Sequence, residues 1–126
     1  LISLHIPLTK DTHNMISLDQ INKMKKSVYL INTARGGIIN EESLLDALKG
    51  GKIAGAAIDT YEDEPYFGGL TKFDNCINTA HMGSMTVDCR SAMEIEATQE
   101  AIRFIKGVAL MSEVPEDEYQ AQSYNL

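Results

Sequence analysis

Apolar residues along this chain switch between a continuous run and a helical spacing, and the switches mark its elements. Residues 1–6, Leu-Ile-Ser-Leu-His-Ile, open as a strand already under way. Ser17-Leu18-Asp19-Gln20 is a capping-box start, in which the serine caps a helix and Gln20 reaches back to it. Leu18, Ile21 and Met24 then fall on one helical face. Residues 28–32, Val-Tyr-Leu-Ile-Asn, form an apolar β-rich run with no alternation that would give it a wet face. Asn40 stands before Glu41, Glu42, Leu44, Leu45 and Leu48, with acids in the first turn and Gly50-Gly51 past the end, which predicts a second helix. Residues 53–58 read as the next strand, and their small side chains (Ala54, Gly55, Ala56, Ala57) suit close helix packing. A turn-rich loop over 62–74, with Pro65, Gly68 and Gly69, leads to a short strand at 76–79. One long helix is predicted from 86 to 106, turning Ala92, Met93, Ala97, Ala101, Ile102 and Ile105 toward a core.

Strand, helix, strand, helix, strand at this spacing predicts βαβ units: an α/β fold with a parallel sheet and right-handed crossovers. No Gly-x-Gly-x-x-Gly run occurs, so the turn that cradles dinucleotide phosphates lies outside these residues, as does the acid that would hold the ribose. If the sheet belongs to a dinucleotide-binding domain, it is the second half of one. The chain also starts without methionine or a charged leader, so it is expected to be the carboxyl-terminal part of a longer protein. Residues 1–107 would be the partial domain and 108–126 a tail, acidic and polar from Val114 on, that packs loosely or frays.

Charge narrows the partners. A net charge of −7 argues against a nucleic-acid or anionic-membrane surface, and no apolar stretch approaches the roughly 20 residues of a membrane span. A small anionic substrate stays open, because one well-placed arginine decides that locally. Cys76 and Cys89 are too few and too far apart for a zinc knuckle or a disulfide framework, and are expected to be reduced thiols in a cytoplasmic protein without a metal site.

Three residues that directly follow predicted strands could do chemistry: Arg35, Glu64 and His81. Ligands of open α/β sheets sit outside the carboxyl ends of the strands, which is where all three would lie. Taken alone, a histidine near a strand end is more often structural than catalytic, and His81 is no exception. A carboxylate beside an imidazole fixes its tautomer and favours the imidazolium, making a proton relay near neutral pH, and Glu64 is the candidate partner. The bland alternative for Glu64 is a solvated acid in Glu62-Asp63-Glu64. Arg35 precedes Gly36-Gly37, which would let the backbone turn tightly and approach a ligand, and a guanidinium there suits a planar carboxylate. Its bland alternative is a surface arginine.

The runs Leu4-His5-Ile6-Pro7-Leu8-Thr9, Asn32-Thr33-Ala34-Arg35-Gly36-Gly37, Ile53-Ala54-Gly55-Ala56-Ala57-Ile58-Asp59 with Glu64-Pro65, and His81-Met82-Gly83-Ser84 resemble the D-isomer-specific 2-hydroxyacid dehydrogenase family, in order and at the right spacings over residues 1–107. The resemblance implies a Rossmann-like sheet, the second half of an NAD-binding domain, in an enzyme that is usually a homodimer. It implies NAD-dependent interconversion of a D-2-hydroxy acid and its 2-oxo acid. His81 would be the acid/base, Glu64 its carboxylate partner, and Arg35 the group that binds the substrate carboxylate and polarises the developing carbonyl. Asp59 would meet the nicotinamide carboxamide, and His5, Ile6, Pro7, Thr33, Ala34 and Gly83, with Arg35 and His81 themselves, would line the cofactor. Where the family usually has proline before the histidine this chain has Ala80, and formate-type members carry glutamine in place of Glu64, which disfavours formate. Met82-Gly83-Ser84-Met85 and Met93 to Ala97 lean toward phosphoglycerate-dehydrogenase-like members, with 3-phosphoglycerate a candidate substrate. Two other readings stay open: an NAD-sensing, corepressor-like binding module, which the acidic composition disfavours, and an inactive fragment. Without the phosphate-cradling turn, the chain by itself is expected to hold NAD poorly and to catalyse nothing.

Overall fold

The computed structural model describes residues 1–115. Four strands, β1 (Ile2–Leu4), β2 (Tyr29–Asn32), β3 (Gly55–Ile58) and β4 (Cys76–Asn78), form one sheet in chain order, and every neighbouring pair is parallel. The connections carry α1 (Leu18–Asn22), α2 (Glu41–Lys49) and a 3-10 turn at Gly69–Lys72 that the sequence reading took for plain loop. A long helix, α3 (Val87–Ile105), follows β4. The α/β, Rossmann-like reading holds.

Local chemistry sets the boundaries. Gln20 Oε1 accepts from the Ser17 N–H at 3.1 Å and from its hydroxyl at 2.6 Å, so the glutamine does reach back at the start of α1. Asn40 Oδ1 accepts from the Ser43 N–H at 2.9 Å, and α2 closes at Gly50. Thr86 caps α3 through the Cys89 N–H. The third strand begins at Gly55, later than expected, although the Ala54 N–H already bonds the Val28 C=O.

The sheet is buried on one face. Register aligns Ile2, Leu30, Ala56 and Cys76 in one row and Leu4, Asn32, Ile58 and Asn78 in another, and these rows meet Ile21, Leu44, Ala47 and Leu48 of α1 and α2. Opposite, Ser3, Ile31, Ala57 and Ile77 are aligned in a row of their own, with Ile77 67% exposed and Tyr29 on β2 53% exposed. The expectation of a second strand without a wet face is therefore corrected. An apolar run does not reveal that only one side has a cover among the described residues. Within α1 only Ile21 is buried and Leu18 is 40% exposed, while Met24, which lies beyond the helix, is half-buried.

The inward stripe assigned to α3 is corrected as well. No residue of this helix is buried: Ala92, Ala97 and Ala101 are exposed, as are Met93, Ile102 and Ile105. Periodicity identified the apolar side chains but could not supply a surface for them to meet. Cys76 and Cys89 are both free thiols. The expected tail falls, from residue 116 on, outside the described residues.

Candidate active site

Two loops at the carboxyl ends of β1 and β2 build a first crevice of about 510 Å³, lined by His5, Ile6, Pro7, Leu8, Thr33, Ala34 and Arg35. Asn32 shapes the second loop from beneath. Its buried side chain accepts from the Ala34 N–H at 3.1 Å and donates to the Arg35 C=O at 2.9 Å, which folds the backbone into a turn just as the strand ends. The two loops are then zipped together, since Asn14 N–H bonds Gly37 C=O and Ile16 pairs with Ile38 and Asn40. Arg35 is exposed, and its guanidinium donates to the Ala34 C=O at 2.7 Å. His5 shares a 2.7 Å hydrogen bond with the Ser3 hydroxyl.

A second cleft, of about 530 Å³, opens at the ends of β3 and β4, and Tyr61, Glu64, Tyr66, Asn78, Ala80 and His81 contribute to its walls. Glu64 Oε2 lies 2.9 Å from His81 Nδ1, and its other oxygen accepts from the Tyr61 N–H at 3.1 Å. The hydrogen bond from His81, with that from Tyr61, holds the Glu64 carboxyl below the usual carboxylate range, so the anion is favoured beside the imidazole. His81 itself has a left-handed backbone, with φ +52°, an uncommon conformation for a non-glycine residue.

Asp59 holds that conformation. Its carbonyl accepts from the His81 N–H at 2.8 Å, while its carboxylate accepts from the Thr79 hydroxyl, the Met82 N–H at 2.8 Å and the Gly83 N–H at 3.2 Å. Burial alone would raise this carboxyl, but the three hydrogen bonds and the charge of His81 lower it overall. Nearby, Tyr61 anchors the Glu64 loop: its hydroxyl bonds the Ile58 C=O and Asn78 Oδ1, its ring stacks on Tyr66 with centroids 4.1 Å apart, and burial keeps its proton on by pushing the hydroxyl up to about 12.

The structure thus brings Glu64 and His81 into contact and gathers His5, Ile6, Pro7, Thr33, Ala34 and Arg35 in one crevice. It does not put Arg35 in the cleft of the pair. Asp59 and Gly83 face each other, not the first crevice. The sequence reading missed Tyr61, Thr79 and Glu41, whose oxygen holds the Glu62 N–H at 2.8 Å. Gly36 also has a neighbour the sequence did not reveal: a side chain there would overlap the Tyr61 carbonyl, so its backbone lies directly against the Glu64 loop. Asp59 and Gly36 were visible in the sequence but their neighbours were not, since these lie 20 to 25 positions away along the chain.

Residues 1–83 match the family model described as the D-isomer specific 2-hydroxyacid dehydrogenase, NAD binding domain. The chain is 46% identical over 109 residues to the glyoxylate reductase of Thermofilum pendens, covering 85% of this chain and 32% of that protein. It is 41% identical over 115 residues to the D-3-phosphoglycerate dehydrogenase of Bacillus subtilis, covering 90% of this chain and 22% of the other. Its backbone superposes on D-lactate dehydrogenase with NAD+ from Lactobacillus jensenii with a TM-score of 0.81 at 31% identity, over 91% of this chain and 39% of that one. The chain therefore spans a third or less of the length of these two sequence relatives.

Proposed function

Because the chain belongs to the D-isomer-specific 2-hydroxyacid dehydrogenase family, as NAD-binding domain, we propose that the protein carrying it interconverts a D-2-hydroxy acid and its 2-oxo acid. The observation that carries this reading is the 2.9 Å contact of Glu64 with His81, at the strand ends beside a crevice that holds Arg35. With Nδ1 engaged by Glu64, the imidazole has Nε2 for the substrate hydroxyl, takes its proton during oxidation and returns it during reduction. Glu64 stabilises the charge that this transfer places on the ring. Arg35, freed from the Ala34 carbonyl, would grip the substrate carboxylate with two parallel hydrogen bonds and favour the negative oxygen developing next to it.

The residues present fit NAD. The first crevice lies at the carboxyl ends of parallel strands, and His5, Ile6, Pro7, Thr33 and Ala34 offer it a mixed apolar and polar wall. Asp59 keeps one acceptor position beyond its three hydrogen bonds, which suits an amide N–H of the nicotinamide carboxamide next to Gly83. Bound NAD would supply the hydride acceptor for oxidation and the donor for reduction. Residues 1–107 form the cofactor-binding portion in this reading, with the remainder a tail, and the whole protein is a homodimer in the cytoplasm. No helix among the described residues is long and apolar enough to cross a membrane, which is compatible with that placement.

Glyoxylate and 3-phosphoglycerate are the first substrates to try, since the relatives named above carry those names. The whole protein is assayed for NADH oxidation with glyoxylate, 3-phosphohydroxypyruvate and a series of other 2-oxo acids, alongside His81→Ala and Arg35→Lys. Turnover with at least one acid is expected, reduced by about 10²–10⁴-fold in His81→Ala, with a raised KM for the acid in Arg35→Lys because an ammonium lacks the two-pronged fork. NADH binding without turnover on any acid would overturn the enzyme reading in favour of a cofactor-sensing module.

A further inference from the structure

The loop carrying Glu64 is held from a side that neither crevice touches. Glu41, the first residue of α2, points Oε1 at the Glu62 N–H from 2.8 Å, two positions before Glu64. Gly36 lies against the same stretch, its Cα hydrogens facing the Tyr61 carbonyl and the Glu62 nitrogen. Between those two props the chain turns, the Tyr61 N–H reaches Glu64 Oε1, and Glu64 Oε2 reaches His81.

Stability alone explains Glu41 poorly. It is half-buried, and its charge faces those of Glu62 and Asp63. Burial, with these two acids, pushes its carboxyl above the usual range against the hydrogen bond from Glu62. The gathered like charges work against the one hydrogen bond that Glu41 makes here. Its placement says more: the Glu62 N–H it holds and the Gly36 contact brace the turn between Tyr61 and Glu64, the turn that sets the Glu64 carboxylate against His81.

We infer that Glu41 is a positioning residue for the reaction: by fixing the Glu62 N–H it fixes the turn that aims the Glu64 carboxylate at His81. This rests on the reading of Glu64 and His81 as the acid/base pair. Glu41 touches neither substrate nor cofactor in this arrangement; it acts through Glu64. What matters is an acceptor oxygen at the right reach, not a negative charge.

Three substitutions in the whole protein separate reach from charge, with kcat and KM measured for NAD and for the best acid. Glu41→Ala removes the acceptor and should lower kcat about tenfold while both KM values stay within about twofold. Glu41→Asp keeps the charge but is one methylene short of the Glu62 N–H, and should behave like Glu41→Ala. Glu41→Gln keeps an oxygen at full reach and should restore kcat to within about twofold of wild type. A residue that served only stability would lower Tm and leave kcat of the folded enzyme alone. Wild-type kcat in Glu41→Ala or Glu41→Asp, or a Glu41→Gln as slow as these, overturns the inference. If Glu41→Ala does not fold, the aspartate and glutamine variants decide it between them. His81→Ala measured in parallel keeps the two claims apart: an inactive His81→Ala beside wild-type-like Glu41 variants removes Glu41 alone, whereas an active His81→Ala removes the acid/base pair on which it depends.

Discussion

Gly36 leaves no room for a methyl group, because an added Cβ would overlap the backbone of Tyr61 and Glu62. Gly36→Ala must therefore move either the Arg35 loop or the Glu64 loop. The expected cost is about 1–3 kcal/mol, the usual range for overpacking, read as a lower urea midpoint and accompanied by slower turnover; an unchanged midpoint would mean that the two loops are not braced against each other. Two carboxylates set a second residue-level expectation. Glu64 and Asp59 both titrate below their ordinary values, 4.5 and 3.8. Depressed folded-state values contribute stability that is present above the ordinary value and lost as pH falls through the folded one. Unfolding free energy should thus fall on acidification below about pH 4.5, and Glu64→Gln should flatten part of that slope in urea titrations run at a series of pH values. Identical slopes in both proteins would deny Glu64 any share in it.

Caps are where the elements were most legible. Asn40 and the first-turn acids mark the start of α2 with local chemistry only, as Ser17 and Gln20 mark that of α1. Asn40→Ala should cost about 1 kcal/mol of stability, and a thermal melt indistinguishable from wild type would show that α2 is held by packing alone. Partners were less legible than caps. The stripe on α3 was visible as a period, yet a period names no surface to meet. Strand ends were readable as a shared edge, which brought Glu64 and His81 together because β3 and β4 are neighbours. Arg35 follows β2, one strand further away. Strands stand about 4.8 Å apart, so its loop begins about 10 Å from that of His81, enough for each to line its own crevice. The part Asp59 plays in holding the 79–83 turn was not legible, because its bonds span 20 to 24 positions.

At the scale of the whole sheet, the described residues finish one face only and leave the helix α3 with no buried residue. The resemblance that identified the family came from short runs at strand ends, which the fold keeps fixed, and so survived these errors about covering. Strand order equal to chain order has a consequence for cooperativity. Each strand adds to one edge of those before it, so β4, at the outer edge of the described sheet, can detach while β1, β2 and β3 keep their pairing. The turn that holds His81 hangs from β4, and the Thr79 N–H continues its ladder to Ile58. Opening of this edge would switch off the proposed proton relay without unfolding the core. Cys76, buried on β4 with its thiol pushed up by burial, reports the event, since it meets a thiol reagent only when the strand lifts. On gentle warming, trapping of Cys76 in a Cys89→Ser background should track loss of turnover and precede the far-ultraviolet melt. If thiol trapping, inactivation and melting coincide, the sheet opens as one unit and the edge has no independent life.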